Sequence, residues 1–170
     1  LPIRAEQQAL ARRQWRRLRA HCRSRNVALL GDVPMFVAHD SADVWARPDL
    51  FDLDARGAPR VQAGVPPDYF SETGQLWGNP TYDWRAMREE DYAWWVARLA
   101  RARDLHDSVR IDHFRGFEAA WHVPADAATA GEGWWVPGAG AEILSVLVDT
   151  AGPGTLVAED LGVITPEVEA

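Results

Sequence analysis

The chain has 170 residues, a formal charge of −7 and 47% hydrophobic residues, the profile of a globular domain long enough to bury a real core. Its lone cysteine, Cys22, excludes an internal disulfide framework, and no apolar run approaches the ~20 residues that cross a bilayer. With no signal-peptide pattern at the start, a cytoplasmic protein with no membrane partner is the expectation.

Residues 5–25 predict an amphipathic helix. Ala11, Trp15, Leu18 and Cys22 recur at helical spacing as a core stripe, and Arg12, Arg16, Arg19 and Arg23 lie one position round from it. Residues 1–26 hold eight arginines against Glu6, a net +7, which leaves −14 on the other 144 residues. A basic helix suits nucleic acid, but no aromatic-rich nucleic-acid motif accompanies the charge. A solvated outer face is the better reading, and no nucleic-acid partner is expected.

Residues 27–30 follow as a short buried strand ending in Gly31-Asp32. The stretch 34–84 is rich in Gly, Pro, Asp and aromatics without a clean period. So long an irregular segment in a compact domain is usually functional, and it reads as a substrate-binding insertion. Trp45, Tyr69, Phe70, Trp77, Tyr82 and Trp84 fall there, off any helical face, so several of these rings are expected to be partly exposed. Residues 86–106 predict a second helix, with Tyr92, Trp95, Leu99, Ala102 and His106 on one side. A strand at 109–111 stops abruptly at Asp112-His113. A helix at 141–150 packs Ile143, Leu144, Leu147 and Val148. The strand 155–158 runs into Glu159-Asp160-Leu161-Gly162, and Thr165 caps a last helix with Pro166 at its first position.

Helices alternating with strands imply an α/β fold with a parallel sheet and helical crossovers. Three strands then finish in acids, Asp32, Asp112 and Glu159, which a parallel sheet brings to one edge. In a (β/α)₈ barrel that edge is the active-site face. Clustered carboxylates serve divalent metals or glycoside chemistry. A Mg²⁺ or Ca²⁺ site wants oxygen ligands without cations beside them, whereas Arg110 and His113 flank Asp112 and Arg115 follows. Positive neighbours favour an ionised Asp112, as a nucleophile needs. Apolar Ala158 and Leu161, with Asp160 alongside, favour a protonated Glu159, as a general acid needs. Two carboxyls in opposed environments fit a retaining glycosidase, and flat aromatic rings stack on sugar faces. A glucan-binding module without chemistry remains the alternative from another class.

Four segments carry a resemblance: "GDVPMFVAHDSADVW" (31–45), "GVPPDYFSETGQLWGNPTYDW" (64–84), "VRIDHFRGFEAAWHVP" (109–124) and "LVAEDLGVITPEV" (156–168). From about residue 27 onward the chain resembles the 4-α-glucanotransferases called amylomaltases or disproportionating enzymes, of the α-amylase clan of (β/α)₈ barrels. The resemblance implies that residues 1–170 are part of a catalytic barrel, about three consecutive βα units with long active-site loops. It implies Asp112 as nucleophile, Glu159 as acid/base and Arg110 as the cation orienting the nucleophile. Asp32 and His113 would lie near the donor sugar, Trp77 and Asn79 would line the cleft, and Asp68, Tyr69 and Phe70 would cover the acceptor side. The substrates it implies are maltooligosaccharides and α-1,4-glucans, handled without a metal or other cofactor. The close alternative is an α-glucan hydrolase of the same clan. The family's third carboxylate lies on a later strand and is not in this chain, with Asp40 or Asp43 the first candidates for a substitute. The chain, opening Leu1-Pro2-Ile3, reads as a piece of something longer that is expected not to catalyse alone. Its oligomeric state is left open.

Overall fold

A computed structural model describes residues 2–161 and 164–169. Helix α1 (Pro2–Arg23) is followed by strand β1 (Leu30–Pro34), a short helix α2 (Ala42–Ala46), and strands β2 (Val61–Val65) and β3 (Gln75–Pro80). Helices α3 (Trp84–Glu89) and α4 (Ala93–Leu105) lead to β4 (Ser108–Asp112). Strands β5 (Ala119–Pro124) and β6 (Trp134–Pro137), helix α5 (Gly140–Ala151), strand β7 (Leu156–Ala158) and helix α6 (Pro166–Glu169) complete the order.

The strands form two sheets. One is parallel, in the order β1-β4-β7, and the other is antiparallel, in the order β3-β2-β5-β6. The parallel sheet is the predicted α/β unit, with its three strands adjacent in chain order. Among the described residues it stays open and no barrel closes. The antiparallel sheet is a departure from the sequence reading, which took 34–84 and the later loop as irregular. Its strands are only 4–6 residues long and carry Gly64, Gly78 and several prolines, so neither alternation nor β-propensity stands out.

Burial alternates along β1 and β4 because side chains point to opposite faces. Val33, Val109 and Ile111 are buried and join Trp95 and Leu99 of α4 and Ile143 and Leu147 of α5 in one core. Each such side chain contributes roughly 1.5–3 kcal/mol by leaving water. Leu144 packs at the core's margin, but Val148 is exposed, so the predicted stripe of α5 is narrower than its apolar run.

Two boundaries moved and one expected cap is missing. The end of α1 takes up Asn26 in a left-handed conformation, with the Val27 N–H bonded to the Cys22 carbonyl and the Asn26 N–H to that of Arg23. That capping motif claims Val27, so β1 begins at Leu30 and Asp32 sits in mid-strand instead of at its end. The predicted helix 86–106 is broken where Asp91 and Tyr92 both turn left-handed. Tyr92, Trp95, Leu99 and Ala102 are nonetheless all buried. At the last helix the Thr165 hydroxyl makes no hydrogen bond with the described residues, so the predicted side-chain cap is not formed.

Helix α1 departs from its predicted faces. Ala11 and Leu18 are exposed, and Trp15 and Cys22 are half-buried. Trp15 donates from its indole to the Leu105 carbonyl at 2.7 Å. Arg12, Arg16 and Arg23 are exposed as expected and Arg19 is half-buried; Arg19 and Arg23 both bind the Asp107 carboxylate, and Arg19 also reaches the carbonyls of Asp104 and His106. Asp107 further accepts the Leu29 N–H at 2.9 Å, and this bond, ahead of the two arginines, holds its carboxyl well below the usual carboxylate range. The arginines therefore fasten α1 to the turn that launches β4. No helix among the described residues is long and apolar enough to cross a membrane.

Candidate active site

The site grows from strand register. Asp32 on β1 is the cross-strand partner of Arg110 on β4, and Arg110 pairs in turn with Val157 on β7. Asp112 lies two residues beyond Arg110, on the same face. Arg110 can thus grip both acids: its Nε and one terminal nitrogen bind Asp32 at 2.9 and 3.0 Å, and that terminal nitrogen binds Asp112 at 2.8 Å. The Asp32 bond first, then the charges of Asp32, Asp112 and Glu159, push the Arg110 guanidinium above its ordinary value. It is a permanent cation between the acids.

The ladder fixes the main chain around Asp112. Its carbonyl accepts the Met35 N–H at 3.1 Å, and the Glu159 N–H bonds the Ile111 carbonyl at 3.1 Å on the other side. Glu159, the residue after β7, is thereby set beside the end of β4. Its side chain accepts the main-chain N–H of His113 at 3.0 Å. Ala158 and Leu161, expected to enclose Glu159, are exposed; the acid is half-buried and held by that amide instead.

His113 adopts a left-handed backbone, φ 54°, at the start of a short 3₁₀ turn, Phe114–Phe117. Its ring stands edge-on to Trp77 at 4.8 Å and tilted against Phe36 at 6.3 Å. Its Nε2 is buried without a hydrogen-bond partner among the described residues. Burial chiefly, with the Arg115 charge second and Asp112 opposing, lowers the ring to about 4. His113 is consequently neutral near pH 7, which corrects its reading as a positive neighbour of Asp112. Arg110 supplies that charge. Arg115 is also turned away: it is buried, bonded to Glu118 at 2.9 Å and stacked 3.9 Å above the Trp135 ring.

The neutral ring has a measurable consequence. Between about pH 6.5 and 4 the unfolded chain takes up a proton that the folded His113 refuses. Stability should be full above 6.5 and fall as pH drops through this window. His122, also lowered chiefly by burial, acts in the same direction. Urea midpoints measured across pH 4–7 should fall less steeply in His113→Asn than in the wild type.

A cleft of about 500 Å³ lies beside these groups, lined by residues that include Asp112, His113, Trp77, Asn79, Ser41 and Asp43. Trp77 and Asn79 reach it through a bulge in β3. Gln62 pairs with Pro80 and Gly64 with Leu76, so Trp77, Gly78 and Asn79 all lie opposite Ala63. Gly78 takes φ 73°, and its N–H is bound by the buried Gln62 amide at 3.0 Å. Such bulges re-aim side chains near functional sites. Sequence reasoning passed over Gln62; a glutamine inside an apolar run, Val61 to Val65, was the available signal.

Other predicted residues stand apart from this cleft. Asp32 reaches it only through Arg110. Asp68, Tyr69 and Phe70 form the turn between β2 and β3, where the Asp68 carboxylate accepts the N–H groups of Phe70 and Ser71, each at 2.8 Å. Tyr69 and Phe70 are 96% and 91% exposed and meet edge to face. Trp45 is also exposed, whereas Tyr82, expected in a loop, is core, with its hydroxyl donating to the Met35 carbonyl. Trp84 is half-buried at the start of α3, where Asp83 caps the helix. Among the described residues no group of three His, Cys, Asp or Glu side chains is arranged to hold a metal ion.

A family model described as 4-alpha-glucanotransferase matches residues 3–170. The 4-alpha-glucanotransferase of Thermus thermophilus is 53% identical over 158 residues, covering 93% of this chain and 32% of that protein. That of Synechocystis is 53% identical over 165 residues, covering 96% and 33%. The structure of an amylomaltase from Streptococcus agalactiae in complex with acarbose matches with a TM-score of 0.88 and 39% identity, over 92% of this chain and 32% of that one. An amylomaltase from Corynebacterium glutamicum shares the fold at a TM-score of 0.72 and 24% identity, over 82% of this chain and 19% of that one. The chain thus spans about a third of the length of the relatives first matched.

Proposed function

Because the chain belongs to the 4-alpha-glucanotransferase family, we propose that it supplies the nucleophile and the acid/base of a retaining α-1,4-glucan transferase. In this reading β1, β4 and β7 are consecutive strands of a (β/α)₈ barrel, whose full closure takes eight strands and roughly 250 residues. Residues outside these strands form the substrate-binding loops. The setting is cytoplasmic, where a lone cysteine stays reduced, and the partners are maltooligosaccharides and longer α-1,4-glucans.

The observation that carries the reading is Arg110 bound to Asp112, with Glu159 directly after the adjoining strand β7. The ionised Asp112 attacks the anomeric carbon of a donor glucan, and Glu159 gives its proton to the leaving 4-oxygen as the glycosidic bond breaks. The product is a glycosyl ester of Asp112. The 4-hydroxyl of an acceptor glucan or glucose then attacks the same carbon, passes its proton back to Glu159 and frees Asp112. The two carboxyls should lie ~5–5.5 Å apart when donor is bound. Asp32 holds Arg110 from the far side, and Trp77, Asn79 and the neutral His113 receive the donor sugar in the cleft.

Transfer wins over hydrolysis when sugar reaches the ester before water does. Tyr69 and Phe70 are suited to this role: two rings crossed at 88° on an exposed turn can stack an incoming sugar. Tyr69→Ala and Phe70→Ala should each shift the products of maltotriose from redistributed glucans toward free glucose without loss of fold. Reducing ends released per transfer event measure the shift; an unchanged ratio in both variants contradicts the acceptor role. The reading as a whole is tested by incubating the complete protein with maltotriose and looking for longer and shorter maltooligosaccharides.

A further inference from the structure

His113 faces two ways. Its ring lies in the cleft between Trp77 and Phe36, while its main-chain N–H points at the Glu159 carboxylate, 3.0 Å away. The N–H reaches that carboxylate from a left-handed backbone, φ 54°, a conformation that residues with a Cβ adopt only at a cost. Room for it is built in. A Cβ on Gly116 would come within 2.9 Å of the Met35 side chain and 3.2 Å of the His113 ring, so glycine there lets the turn close on the ring. Ring packing and the ladder bonds to Asp112 therefore over-determine a strained residue, and the product of the strain is one aimed amide.

We propose that His113 is a positioning residue for Glu159: its left-handed main chain holds the amide that fixes the acid/base carboxyl beside the cleft. The inference rests on the role given to Glu159 above. The amide is the same in every variant, so what matters is the residue's tolerance of the left-handed region. The ring sets that tolerance by packing; without the ring, glycine retains it and alanine does not.

The test is a comparison of His113→Gly with His113→Ala in the complete protein. Both lack the ring, so any role of the imidazole in binding sugar cancels. The expected result is that kcat for maltotriose in the alanine variant falls about tenfold below that of the glycine variant, with KM unchanged. The first step with a donor carrying fluoride, followed as fluoride released before steady state, needs little protonation and should show the two variants within about twofold. In a Glu159→Gln background the gap with maltotriose should close, because the amide no longer has an acid to aim. Equal kcat values in the two variants, or a gap of the same size in the first step with the fluoride donor or in the Glu159→Gln background, would overturn the inference. Wild-type protein that fails to redistribute maltotriose would instead contradict the transferase reading on which it rests.

Discussion

Asp112→Asn is expected to remove nearly all glucan transfer and leave the fold intact. The amide matches the carboxylate in shape and can still accept the Arg110 bond seen at 2.8 Å, while Arg110 keeps its two-point grip on Asp32. What it cannot do is form a glycosyl ester at a useful rate. Removing a covalent nucleophile elsewhere costs on the order of 10⁶ in kcat, so residual disproportionation of maltotriose should sit near background. Circular dichroism and urea midpoint should match the wild type, since the side chain is half exposed on the sheet's open face. A variant that disproportionates maltotriose at the wild-type rate would show that another group attacks the sugar.

Glu159→Gln should produce the second largest loss, about 10²–10⁴-fold with natural donors, the range for a positioned proton donor. Glutamine retains an oxygen to accept the His113 N–H, so the substitution isolates the proton from the hydrogen bond. Fluoride at the anomeric carbon of a donor leaves with little protonation, so the first step with such a donor should be largely spared. Equal losses for maltotriose turnover and for the first step with maltosyl fluoride would remove Glu159 from the role of acid.

Both acids stood out in the sequence because the strands that lead to them are short apolar runs cut off by charge. Val109 and Ile111 bury toward the helices and leave Arg110 and Asp112 together on the other face. Asp32 was harder. Its strand begins three residues later than hydrophobicity suggests, because Val27 is used to close α1. Asp32 therefore braces Arg110 from mid-strand and does not stand at the strand's end with Asp112. The antiparallel sheet was illegible for a different reason. Strand β2 meets β5 far away in the chain, and the β2–β3 and β5–β6 hairpins carry glycines and prolines that read locally as loop. The bulge that brings Trp77 and Asn79 to the cleft is set by pairing with Gln62 and Gly64, information that no window around Trp77 contains. Tyr82 shows the converse, an aromatic in a Pro- and Asp-rich segment that is nevertheless core because Phe36, Phe51 and Trp95 surround it.

Electrostatics were legible in sign and less so in detail. Three basic side chains cluster around Asp112 in sequence, and it is Arg110 that binds it at 2.8 Å. His113 is kept neutral by burial, and Arg115 turns to Glu118 and Trp135. Adjacent residues on a strand and the turn after it point in different directions, so charge density along the chain overstates the charge that a carboxylate feels.

The central claim, a covalent glycosyl-Asp112 intermediate, is tested most directly by trapping it. Glu159→Gln protein mixed with maltosyl fluoride should form the ester quickly and release it slowly, since the same substitution removes the base that activates the acceptor. Intact mass should rise by one maltosyl group, and peptide mapping should place that mass on Asp112. The same mass on Asp32 or Glu118, or burst-free turnover of the fluoride with no adduct at any time, would contradict the account.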